Sequence, residues 1–129
     1  MKINENTQIG DTAKPLKNLL PYVLYHNEQG SNEEITILDD SANYEYIDLL
    51  FRNDGYFRSS VRVKNPNGKN VNCSIIYQEN SSYMWLYSAI EFIHGTKITP
   101  YHGGIVSLIT TGISDTRNRI FLETVIGWK

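Results

Sequence analysis

The chain has 129 residues, of which 40% are hydrophobic and 20% charged, and its 12 basic and 14 acidic side chains give a formal net charge of -2. That balance excludes a polybasic nucleic-acid binder and an acidic solvating tail, and no apolar run reaches the roughly 18–20 residues that cross a bilayer as a helix. The length suits one domain of roughly 100–200 residues, and aromatic residues are plentiful, with nine Tyr, four Phe and two Trp.

Thirteen Asn, ten Ser and nine Thr disfavour helix interiors and favour turns, caps and strands. Residues 1–21 carry Ile3, Ile9, Leu16, Leu19 and Leu20 without a sustained period. They fit an N-terminal arm or docking segment, with one helical turn over 16–20 between Pro15 and Pro21. An irregular stretch folded onto the core is the alternative. The first residues lack an apolar h-region, so no signal peptide is expected.

The domain proper is expected over residues 22–129. Residues 22–25 form a short strand, 26–34 a polar turn or loop around Gly30, and 35–38 a second strand. The stretch from Asp39 to Asn43 is rich in capping residues and makes a short turn. Residues 46–52 form a third strand, with Ile47, Leu49 and Phe51 on one face and Tyr46, Asp48 and Leu50 on the other. Asn53-Asp54-Gly55 supplies a hairpin turn. Over 57–64, Phe57, Ser59, Val61 and Val63 face inward while Arg58, Ser60, Arg62 and Lys64 face outward, the pattern of a half-buried strand. Asn65-Pro66-Asn67-Gly68 is the strongest turn signal, because Pro66 presets φ and Gly68 takes the left-handed position. Residues 71–78 return as a strand.

Over 82–94 a strand is favoured by the β-branched and aromatic content, although Met84, Leu86, Tyr87, Ile90 and Ile93 also fit helical spacing. Gly95-Thr96 turns the chain again. Strands follow at 96–101, 105–111 and 120–128, with 115–118 as a polar loop. About eight or nine short strands, punctuated about every 8–12 residues, predict an all-β fold: an antiparallel β-sandwich or a jelly-roll-like barrel. The apolar last strand is expected to pair inside a sheet.

Chemistry-bearing motifs are sparse. His26, His94 and His102 form no metal-ligand spacing, and no metal or other cofactor is expected. Cys73 sits in mid-strand and is expected to be a small core residue. Asp39 to Asn43 lacks the period and the glycine of a calcium loop. The acidic pairs Glu33-Glu34 and Asp39-Asp40 belong to solvated loops rather than to an acid–base site. Asn72 and Asn80 head sequons that are taken as chance. Arg52, Arg58, Arg62 and Lys64 make a small basic patch on a solvated sheet face. The aromatic residues carry more information. Flat Tyr and Trp faces stack on sugar rings, and both residues are enriched at protein interfaces. Tyr44, Tyr46, Tyr56, Tyr83, Trp85 and Tyr87 are the candidate ligand-binding residues, while Phe51, Phe57 and Trp85 are candidates for the core.

Several stretches resemble the small β-rich modules of virion structural proteins from tailed phages of Gram-positive bacteria, found in tail tips, baseplates and fibres. They are the run from Tyr25 to Gly30 followed by Ile35-Thr36-Ile37, the run from Leu38 to Asp48, Ser59-Ser60-Val61-Arg62-Val63 leading into Asn65 to Lys69, and the closing Val125-Ile126-Gly127-Trp128-Lys129. The resemblance implies a non-enzymatic virion component, made in the bacterial cytoplasm. It would assemble with other virion proteins or with itself as a homo-oligomer, a trimer being frequent in the family, or touch host cell-wall saccharide. It brings no motif of functional residues. Neither nucleic acid nor membrane is an expected partner. Two alternatives stand beside it. One is a purely structural assembly protein. The other is a small depolymerase-like enzyme fragment, which needs two carboxylates about 5–10 Å apart among Glu33, Glu34, Asp39, Asp40, Asp48, Glu79 and Glu91.

Overall fold

A segment that alternates apolar and polar residues buries only one face, so it needs a second apolar layer opposite. The computed structural model, which describes residues 8–9, 14–15, 20–109 and 114–129, meets that need with two antiparallel sheets. Its strands are β1 (Gln8–Ile9), β2 (Lys14–Pro15), β3 (Pro21–Ser31), β4 (Ile35–Thr36), β5 (Tyr46–Arg52), β6 (Arg58–Lys64), β7 (Lys69–Gln78), β8 (Met84–His94), β9 (Lys97–Ser107), β10 (Ser114–Asp115) and β11 (Phe121–Trp128). The first sheet has the order β3-β11-β5-β6, and the second has β10-β9-β8-β7 with β4 also on β9. Gln8 and Ile9 pair with Pro15 and Lys14 as a separate two-stranded ladder. The chain is therefore the expected all-β sandwich.

The core lies between the sheets. Leu24, Ile47, Leu49, Phe51, Leu122 and Val125 come from the first sheet, and Val71, Cys73, Ile75, Ala89, Ile93 and Ile98 from the second. The strand β5 has the expected bounds, and its inward residues Ile47, Leu49 and Phe51 are the expected ones. Cys73 is fully buried, and the apolar surroundings push its thiol pKa up. The last strand, β11, sits between β3 and β5 in the middle of its sheet, as its apolar character requires.

Several boundaries differ from the sequence expectation. The stretch 26–31 belongs to β3, but in an irregular form: Ser31 pairs with Leu122 and His26 with Thr124, so residues 27–30 bulge out opposite Glu123. Gly30 takes φ +74° there, and a Cβ on it would come within 2.7 Å of the Phe121 Cβ. The expected strand 35–38 shortens to β4. The expected strands 96–101 and 105–111 are one strand, β9, which runs through Gly103-Gly104. A Cβ on Gly103 would lie 2.7 Å from the Asn118 Cβ, so these glycines admit the loop packed over the strand rather than a turn. The turn 65–68 has Gly68 at φ +82° as expected. It does not close a hairpin, however: β7 leaves the first sheet and pairs with β8 in the second. The helical turn expected over 16–20 falls mostly outside the described residues.

The sandwich has two different ends. At one, Asn67 joins three connections: its Oδ1 accepts from the Gly95 N–H (2.8 Å) and the Ser41 hydroxyl (3.2 Å). Asp40 caps the 3-10 turn Ser41–Asn43 there, as the sequence suggested. The other end gathers the β5–β6 loop, the β7–β8 loop and residues 114–119.

Candidate functional site

The second end begins with Arg52. Sequence alternation placed it on a solvated basic face, but it is buried. Its guanidinium lies between the rings of Tyr56 (4.2 Å) and Phe121 (4.6 Å) and donates to the Asn53 carbonyl (2.8 Å) and the Gln29 carbonyl. The strand bulge at 27–30 supplies that last acceptor. The buried Asn53 then shapes the loop, with Oδ1 accepting from the N–H groups of Gly55 (2.9 Å) and Phe57 (3.0 Å). The left-handed residue of this loop is Tyr56, at φ +62°, and not Gly55. A Tyr in that region is strained, and its ring contact with Arg52 holds it there. Phe57, expected inside, is about half exposed and packs on Tyr77 of the other sheet at 4.4 Å between ring centroids.

Across the gap, the loop after β7 is ordered by Asn80, whose Oδ1 accepts from the N–H groups of Ser82 (2.8 Å) and Tyr83 (3.0 Å). The rings of Tyr83 and Trp85 stack in parallel, with centroids 5.8 Å apart and 1° between their planes, and the Trp85 Nε1–H donates to Glu79 at 3.2 Å. Trp85 and Tyr87, with Ile105, Ser114, Asp115 and Arg119, line a hollow of about 320 Å³. A second hollow, of about 440 Å³, lies on the other side of Arg119 among Asn32, Asp54, Arg117, Asn118 and Phe121.

Arg119 is the divider. It pairs with Asp54 and, at 3.3 Å, with Asp115, while Arg117 holds Asp115 at 2.7 Å. The Arg117 hydrogen bond, first among the causes, keeps the Asp115 carboxyl well below the usual carboxylate range. Burial, first, and the nearby Asp54 raise the Tyr87 phenol, so it stays a proton donor at neutral pH. The Arg119 Nε–H is buried and has no acceptor among the described residues. The hollow therefore offers a flat aromatic wall, an ionised carboxylate and fixed donors, a combination that holds a ring bearing hydroxyl groups.

The six aromatic candidates divide between the two ends. Trp85 and Tyr87 line the hollow, Tyr83 stacks on Trp85 beside it, and Tyr56 lies at the same end on the flank formed by Arg52. Tyr44 is a core residue at the opposite end; its hydroxyl donates to Asp39 at 2.9 Å and its ring meets Tyr22 edge-on. Tyr46 lies on the outer face of the first sheet, where Arg62 covers it and Trp128 (5.5 and 5.3 Å to the ring centroids) and pairs with Asp48 at 2.7 Å. Asp54, Ser114, Asp115 and Arg119 were not singled out from the sequence. The alternation of Asp115, Arg117 and Arg119 was the available signal, since three charges at every second position put one polar face on a short segment.

Glu91 was also underestimated. It points into the core from β8 between Ala89 and Ile93, opposite Val71, and neither carboxyl oxygen has a hydrogen-bond partner. Burial pushes its pKa up to about 8. Among the described residues no group of three or more His, Cys, Asp or Glu side chains could hold a metal ion. In comparison with known proteins, no family model matches the chain and no curated protein matches it significantly.

Proposed function

We propose that the chain is a non-enzymatic adhesion module of a tailed-phage virion that binds host-surface saccharide in the hollow at the Trp85 end. The observation that carries the binding reading is the Tyr83–Trp85 stack beside the fixed Asp115–Arg119 pair. A sugar ring would lie on the aromatic wall, with its hydroxyls shared between Asp115, Ser114 and the Tyr87 phenol. The hollow, at about 320 Å³, falls at the small end of ligand sites of roughly 300–1,000 Å³, which suits one sugar unit of a polymer. The virion assignment rests on the resemblance of residues 22–129 alone.

The state of the carboxylates favours binding over hydrolysis. Glycoside cleavage needs one carboxyl kept protonated beside the bond. At the hollow, the carboxyl is Asp115, held ionised first by its hydrogen bond from Arg117. Glu91, the carboxyl raised to about 8, is sealed in the core away from any substrate. The test is binding of cell-wall polysaccharide from Gram-positive hosts, measured by calorimetry and by whole-cell pull-down. Trp85→Ala should weaken it about tenfold or more, and Tyr46→Ala, at the far end, should leave it unchanged. Absence of binding to any such polysaccharide, or equal loss in both variants, would overturn the reading.

A further inference from the structure

Three of the four edges of the two sandwich sheets carry devices against pairing with another strand. The β6 edge presents Arg58, Arg62 and Lys64. The β3 edge starts at Pro21 and is broken by the bulge at 27–30. The β9 edge is covered by β4 near its start and by β10 near its end. The fourth edge, β7, has none of these. It is 10 residues long, lacks proline and glycine, and is uncharged from Asn70 to Gln78. Among the described residues no strand pairs with its outer side, which runs alongside an apolar row on the outer sheet face: exposed Ile76, half-buried Leu86 and exposed Val106, in register across three strands.

The residues of this edge read as a near palindrome about Ser74. Folding the segment onto an antiparallel copy of itself there puts Asn70 opposite Gln78, Val71 opposite Tyr77, Cys73 opposite Ile75 and Ser74 opposite Ser74, the one unlike pair being Asn72 opposite Ile76. It also puts Lys69, the one charged residue of β7, opposite Glu79, the residue just after it, with opposite signs and on the same face. The Lys69 side chain has no ion-pair partner among the described residues. Opposite charges facing across a strand pair attract, and like charges oppose the pairing. We infer that the occupant of the β7 edge is a second copy of this chain, paired antiparallel through β7 about a two-fold axis at Ser74. Such an interface is self-complementary, as a two-fold contact must be. It joins the two β7-containing sheets into one continuous sheet and closes two Lys69–Glu79 pairs.

The test uses the whole chain. Light scattering should give twice the 14.8 kDa of the chain. Lys69→Glu, which sets two acids face to face at both ends of the pairing, should weaken the dimer about tenfold. The double exchange Lys69→Glu with Glu79→Lys should bring it back. An independent readout keeps the register testable even if Glu79→Lys disturbs Trp85. On a Cys73→Ala background, Ser74→Cys should cross-link to its own copy when oxidised glutathione accepts the electrons of the two thiols, since directly opposed positions on paired strands have the Cα separation a disulfide needs. A monomer at millimolar concentration, a dimer indifferent to Lys69→Glu, or a Ser74→Cys chain that stays uncross-linked would each overturn the inference.

Discussion

Gly127 shows how much one missing side chain decides. It lies in β11 beneath Tyr44, and a Cβ there would come within 2.5 Å of the Tyr44 ring and 2.9 Å of a Leu24 methyl. Tyr44 cannot retreat, because its hydroxyl is fixed on Asp39 and its ring on Tyr22. Gly127→Ala should therefore destabilise the fold by about 1–3 kcal/mol, the usual cost of overpacking, read as a lowered urea midpoint with unchanged slope. A Tyr44→Leu second change should recover part of the loss. From sequence, Tyr44 looked like a ligand contact because it stands in a polar turn with Asp39, Asp40 and Asn43. The residue that explains its burial, Gly127, is 83 positions away, a distance no local pattern bridges. Arg52 escaped for the same reason: its two ring partners and its Gln29 acceptor come from three separate segments.

At the level of elements, the strands with strict alternation were legible, and the connections between them less so. β5 follows from its own residues, since its alternating side chains specify both the strand and its buried face; β6, β7 and β8 were legible as strands, but the buried faces of β7 and β8 were not assigned and Phe57 and Ser59, expected inward beside β6, are exposed. Which sheet a strand joins is a tertiary choice. The turn 65–68 has the chemistry of a tight turn, yet it hands the chain from one sheet to the other. What fixes that crossing is Asn67, whose side chain reaches both Gly95 and Ser41. Asn67→Ala should cost about 1–2 kcal/mol, since the Gly95 N–H loses its acceptor, and amide exchange should quicken at Gly95 and Ser41 while the opposite end of the sandwich keeps its protection. Uniform quickening along the chain would show instead that these loops do not open separately.

For the whole molecule, two sets of acids pull its stability in opposite directions with pH. Asp39, Asp48 and Asp115 have folded pKa values below the ordinary aspartate value, held there first by hydrogen bonds from Tyr44, Arg62 and Arg117 respectively. Their contribution is present above the unfolded value and is lost as pH falls through the folded one. Glu91 is the reverse case: its folded pKa is raised from 4.5 to about 8. The folded chain holds that proton more tightly, so its contribution is complete below about 4.5 and disappears as pH rises through 8. Stability should peak in mildly acidic solution, near pH 5, and decline steadily toward pH 8. Glu91→Met, which fills a similar volume without an ionisable group, should flatten the decline and raise the melting temperature most at pH 8. A wild-type melting temperature constant from pH 5 to 8 would count against this account. The sequence marks Glu91 as an acid in an otherwise apolar parity of β8, a signal that becomes meaningful only once the strand's inward face is known.

The central place of β11 also sets a schedule for the chain as it leaves the ribosome. β3 and β5 do not pair with each other; both wait for β11, and the His26–Thr124 contact that ties β3 to it spans 98 residues. The second sheet, by contrast, grows by neighbouring hairpins, β7 with β8 and β8 with β9. A nascent chain can thus zip the later sheet first while β3 and β5 remain separated by an empty lane, their apolar faces open to any extended peptide nearby. Long-range pairings of this kind form slowly, and until they form, crowded synthesis is when the protein is most exposed to chaperones and to its own neighbours.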